Sequence, residues 1–294
     1  TAGRLLAGVA SGAAFGPGTA WVKELSAPGT GARRAVIGLS AGFGGGPLVA
    51  GVLAQWLPLP TVLPYLVHIG LMAVIIPLAW HAPETVPPEV PGRRGELRAA
   101  LRRPEFRYQV APAAPLVFGV PTVSFAVLPG LLRLHGLGAV VAGALAGLTL
   151  GTGVVVQPLA RRLDQRRPGS SHYAGIALAA TGFVLGAVAV HWAVPELLVP
   201  TAIVLGGCYG MLLVAGLSTV ERLAAPEDLA SVTAVFYCLT YVGFAAPYVV
   251  TAIAPVVPPP VTLLIAAAFA AVLIPVTALS TVPLRRSTSD ERWR

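Results

Sequence analysis

Nine times along this chain apolar residues run on for roughly the twenty positions that a helix needs to cross a bilayer, and nothing else in the sequence constrains the fold as tightly. The runs cover about residues 1–22, 35–56, 62–81, 108–131, 138–160, 172–192, 196–220, 228–254 and 261–282. In hydrocarbon each backbone N–H and C=O needs an internal partner, so every run is expected as a helix. The first is about twice the length of a secretory h-region and reads as a span. Composition agrees: 55% of residues are hydrophobic and 11% charged, against about 25% charged in a soluble domain. The expectation is an all-α integral membrane protein with nine transmembrane helices.

Charge reports topology here. The net charge of +8 is not carried on one basic face interleaved with aromatics, so nucleic acid is excluded as a partner. If the first run points inward, alternate loops hold 18 of the 20 basic residues, leaving Arg133 outside and Arg4 within a span. That asymmetry is the positive-inside pattern, with a cytoplasmic C-terminus. One lysine stands beside nineteen arginines in an Ala-, Gly- and Pro-rich chain, which has the look of high-GC bacterial coding. The expected place is a bacterial cytoplasmic membrane. Cys208 and Cys238 fall within apolar runs and read as small fillers, not a disulfide framework.

Residues 41–51, AGFGGGPLVAG, set Gly42, Gly46, Pro47 and Gly51 inside one such run. Glycine costs about 1 kcal/mol and proline about 3 kcal/mol against alanine in a water-exposed helix, whereas in lipid small residues let helices approach closely. Gly143, Gly147 and Gly151 form a second smooth stripe at i, i+4 and i+8. Residues 82–107 break the apolar pattern. Their segment 95–103 reads either as a short amphipathic helix at the membrane surface or as a solvated linker.

An internal repeat pairs residues 8–28 with 206–226: Gly8, Gly12, Gly18, Val22, Leu25, Ala27 and Pro28 meet Gly206, Gly210, Gly216, Val220, Leu223, Ala225 and Pro226. Gly42 and Phe43 recur as Gly243 and Phe244. Span one then partners span seven, which leaves six helices in the second half and three in the first. The chain is therefore expected to be an N-terminally truncated piece of a twelve-helix protein, holding helices four to twelve.

Two six-helix halves joined by a basic loop resemble the major facilitator superfamily of secondary transporters. Arg4, Gly8 and Gly12 are similar to its fourth-helix pattern, and Gly42, Gly46, Pro47 and Gly51 to the fifth-helix signature of antiporters. Residues 157–167, QPLARRLDQRR, resemble its cytoplasmic loop motif, keeping Leu159, Ala160, Arg162 and Arg166. The motif's acidic position is Arg161 and its second glycine is Asp164. The resemblance divides the chain into residues 1–82, a partial first half; 83–107, the central loop; 108–282, the second half; and 283–294, a cytoplasmic tail.

The resemblance also implies that the fifth and eighth helices meet between the halves, so Gly42 and Gly46 are expected to oppose Gly143 and Gly147 at a contact that rocks during alternating access. Arg4, as an intramembrane charge, is the candidate for coupling. No Asp or Glu lies in the middle of any span, and a coupling carboxylate is expected in the missing helices. His68 reads as structural. Phe118, Thr122, Phe125, Tyr209, Tyr237 and Tyr241 are the candidates for lining a substrate cavity; they are uncharged and suit an apolar solute. No catalytic, metal or phosphate-binding motif is found and no cofactor is expected. The reading is a monomeric permease for a small molecule, most simply a proton-coupled exporter of a hydrophobic compound. Metabolite uptake, facilitated diffusion, or a sensor or scaffold that kept the fold are the alternatives.

Overall fold

The computed structural model describes residues 18, 21–22, 25–27, 31–83, 94–132, 138–225 and 228–278. These form ten helical elements and, among the described residues, no strand. They are α1 (Gly31–Trp56), α2 (Leu63–Trp80), α3 (Arg94–Arg102), α4 (Phe106–Leu131), α5 (Gly138–Arg166), α6 (Ser170–His191), α7 (Pro195–Leu223), α8 (Leu229–Tyr241), α9 (Ala246–Ile253) and α10 (Pro259–Ala278). Among the described residues seven stretches are long and apolar enough to cross a bilayer: α2, α4, α5, α6, α7, the α8–α9 pair and α10. The expected second span is the continuous 26-residue α1, about 39 Å long at 1.5 Å per residue. Of the expected first span only Gly18, Trp21 and Val22 lie within the described residues.

Hydrocarbon as solvent is most evident in α2. None of its residues is buried, and Ile69, Leu78 and Trp80 are 60, 70 and 84% exposed. A helix apolar on all sides with no buried face has no stable place in water, and lipid supplies the missing contact. Its His68 is exposed, which matches a peripheral position.

The core sits at the other extreme, on α4 and α7. Phe106–Leu131 carries Pro112, Pro115, Pro121 and Pro129. Each removes one ladder donor. The helix does not break; it widens to i→i+5 turns over Phe106–Val110, just after Pro104, and over Val123–Val127, just after Pro121. The α8–α9 pair is interrupted differently, by a tight turn at Val242–Ala245. α5 and α6 both pack against α7, α10 covers α6, and α1 lies along α5.

Two expectations about the polar segments change. Residues 157–167 were expected as a loop, yet α5 continues to Arg166. The cause is local: Ala160 is fully buried against Met211 and Val214, with Leu163 packed beside it, so the helical period goes on earning contacts. Within 83–107, α3 forms and lays Leu97, Ala100 and Leu101 on the bundle, which selects the amphipathic helix over a solvated linker.

Candidate functional site: helix seams and an aromatic wall

Three close helix approaches frame the site. On the first, α1 meets α5. A methyl placed on Gly143 would stand 2.7 Å from the Pro47 carbonyl oxygen, one on Gly51 3.0 Å from that of Ala139, and one on Gly147 3.0 Å from that of Gly44. A methyl would force the backbones apart at Gly143 and crowd them at Gly51 and Gly147, so the two helices approach backbone to backbone. The anticipated α1–α5 contact therefore exists, but in a different register. Gly42 and Gly46 have nothing within 4 Å and are exposed, and Gly151 likewise meets nothing. The seam runs instead through Gly44, Pro47 and Gly51, spaced i, i+3 and i+7 along one face.

On the second, α5 meets α7. The Cα of Gly206 approaches the Thr149 carbonyl and that of Gly210 the Gly153 carbonyl, while the Tyr209 ring covers Gly153. On the third, α4 meets the Val242–Ala245 turn, where Gly243 abuts the Pro115 carbonyl and the backbone of Gly119. These last pairings were not singled out as contacts from the sequence. Their signal was the recurrence of Gly42 and Phe43 at Gly243 and Phe244.

The third approach brings aromatic rings together. The Phe118 ring lies 5.0 Å from that of Phe244, stacked at 12°, and 5.3 and 6.1 Å from those of Tyr241 and Tyr209. Phe244 and Tyr241 are themselves 5.6 Å apart. Phe118 and Tyr209 are buried, whereas Phe244 is 41% exposed, so the stack presents its open side at Phe244. Such pairs gain about 0.5–1.5 kcal/mol beyond area burial, which sets the ring positions. Of the six lining candidates the structure thus unites Phe118, Tyr209 and Tyr241. The Tyr237 ring lies 5.6 Å from Phe236 at a 55° tilt, and Phe125 packs half-buried on the core. Thr122 is buried and its hydroxyl donates to the Phe118 carbonyl at 2.5 Å, so that hydroxyl is committed to its own helix.

Polar groups tie the bundle at two levels. Ser124 and Thr149 share a buried hydroxyl–hydroxyl bond of 2.9 Å between α4 and α5. At the α3 end, Asp164 accepts from the Ser171 N–H at 2.9 Å and from its hydroxyl at 2.5 Å, capping α6 from the end of α5. The neighbouring His172 is buried with Nε2 3.0 Å from the Thr277 hydroxyl of α10. The Thr277 hydroxyl also lies 2.7 Å from the Leu273 carbonyl, which can accept from it. His172 also borders a small cleft with Gln109, Ala113, Leu212, Gly216 and Phe236. The sequence reading placed His172 at the edge of a run and passed over it. Of the loop-motif residues, Ala160 is buried, Leu159 is half exposed, and Arg162 and Arg166 are exposed on the last turns of α5. Arg4, Gly8 and Gly12 lie outside the described residues.

Helices that touch backbone to backbone along glycine seams are the packing of a polytopic membrane protein. The sequence model of the Major Facilitator Superfamily matches residues 1–247, and the chain belongs to that family. No curated protein and no solved structure matches it. Membership makes the chain a multi-pass membrane transporter of small molecules, not an enzyme.

Proposed function

We propose that the protein exports a hydrophobic small organic molecule from a bacterial cytoplasm, coupled to protons, by alternating access about the α1–α5 seam. The observation that carries this reading is the wall of Phe118, Tyr241 and Phe244, with ring separations of 5.0–5.6 Å. Among the described residues it faces no carboxylate or guanidinium in the middle of a span, so its affinity comes from ring stacking and apolar burial. The Gly44–Gly147 and Pro47–Gly143 contacts supply a smooth track on which one bundle can rock against another. Arg4 is the proposed coupling residue, since a charge within a span costs at least about 2.5 kcal/mol and is retained for use. The cytoplasmic side is that of Arg98–Arg107 and Arg161–Arg167, with the C-terminus on it, and the working unit is a monomer.

The test is flux of a hydrophobic fluorescent dye in proteoliposomes under an imposed proton gradient. Dye movement that reverses with the gradient and falls with Phe244→Ala supports the proposal. Gradient-independent equilibration marks facilitated diffusion instead, and no flux of any apolar solute rejects the substrate class.

A further inference from the structure

The elbow between α3 and α4 concentrates positive charge that the transport reading does not use. Arg98 and Arg102 are exposed on α3, Arg103 on the turn that follows and Arg107 in the first turn of α4, each pair four residues apart. The Arg107 N–H bonds to the Arg103 carbonyl at 3.1 Å, so the second pair also shares a helical face. Like charges at that spacing repel. No carboxylate of the described residues lies in ion-pair reach of the four, and Arg107 rests its guanidinium 6.0 Å over the half-exposed Tyr108 ring.

Place and depth narrow the partner. The apolar face of α3, Leu97, Ala100 and Leu101, is spent on the bundle, which turns its guanidinium face outward. The apolar span of α4 opens at Phe106, with Tyr108 two residues on. The arginines therefore sit at the level where hydrocarbon gives way to headgroups, and an amphipathic ring such as Tyr108 is at home there. A guanidinium matches a phosphodiester bidentately, and an anionic leaflet attracts juxtamembrane cations. We propose that the Arg98–Arg107 elbow is a docking site for the headgroup of an anionic phospholipid, which clamps α3 on the ends of α4 and α8.

The experiment reconstitutes the protein in nanodiscs of phosphatidylcholine with or without about one-fifth phosphatidylglycerol. Lipid retained after release is counted by native mass spectrometry, and thermal unfolding is followed in both discs. Wild type should retain phosphatidylglycerol preferentially and melt higher in its presence. Removing any one of the four arginines as Arg→Gln should cut the preference about fivefold, and the quadruple variant should abolish both effects. Should the quadruple variant fail to fold, Arg98→Gln/Arg102→Gln on the exposed face of α3 carries the same test. Arg161→Gln/Arg166→Gln, on the end of α5, should leave the preference within about twofold. Equal retention of the two lipids overturns the proposal, as does a loss as large from the α5 variant. Inorganic phosphate that stabilises the protein in pure phosphatidylcholine as well as the anionic lipid does would assign the site to a soluble anion and likewise overturn it.

Discussion

Substituting Gly143 by alanine tests the seam most directly. The added methyl would stand 2.7 Å from the Pro47 carbonyl oxygen and 3.1 Å from the Gly51 Cα. Carbon and carbonyl oxygen normally meet at about 3.3–3.6 Å, so α1 and α5 must part by roughly 0.6–0.9 Å. Both obstructing atoms belong to backbone, so no rotamer change relieves the overlap. Overpacking of that kind costs about 1–3 kcal/mol. Gly42→Ala and Gly46→Ala are the controls, because a methyl there meets nothing within 4 Å and alanine is the better helix former by up to about 1 kcal/mol. Denaturation in nanodiscs should show Gly143→Ala destabilised and both controls unchanged or stabilised; dye flux should follow the same order. A Gly143→Ala protein with wild-type stability and flux, or a Gly46→Ala protein as impaired as Gly143→Ala was expected to be, would refute the assignment of the seam.

Phe244→Ala opens one side of the ring stack while leaving Phe118 and Tyr209 buried; the apparent dye affinity should fall several-fold with unfolding little changed, and the reverse pattern would make Phe244 a packing residue. Thr149→Val removes one partner of the buried Ser124 bond and should cost about 1–3 kcal/mol, because the remaining hydroxyl is left unsatisfied; the double variant Ser124→Ala/Thr149→Val should recover part of that loss in the same denaturation assay. Asp164→Ala deprives the first turn of α6 of its cap and should destabilise by about 0.5–2 kcal/mol, read as faster hydrogen exchange at residues 170–173. Arg4→Ala should abolish the response of flux to the proton gradient with the protein still folded, and unaltered coupling would remove Arg4 from the mechanism.

The spans were legible because lipid imposes one rule on every position: about twenty apolar residues and no unpaired backbone. Where ends differed, packing supplied what hydropathy could not. Ala160 buries against Met211 and Val214 and so carries α5 past Gln157 and into the arginines. The seam's existence was legible from clustered small residues, but its register was not. Residues 42, 44, 45 and 46 are all glycine; 42 and 46 share one face of the helix while 44 lies nearly opposite, so the α1 sequence alone offers more than one smooth face. The choice is made from α5, where Ala142 and Ala144 flank Gly143 and Ala146 precedes Gly147, and against which Gly44, Pro47 and Gly51 pack.

The same reasoning separates what was found at the wall from what was missed. Phe118, Tyr209 and Tyr241 stand out in a sequence as rings within apolar runs, and the fold does gather them. Phe244 was noted only as the repeat partner of Phe43; the tight turn at Val242–Ala245 brings it onto Phe118. That turn in turn needs Gly243, since any side chain there would strike the Pro115 carbonyl and the Gly119 backbone. One glycine thus both closes α4 on the α8–α9 pair and places the exposed ring of the wall. Packing and substrate contact are coupled at this point, and a change that loosens the Gly119–Gly243 approach must also displace Phe244.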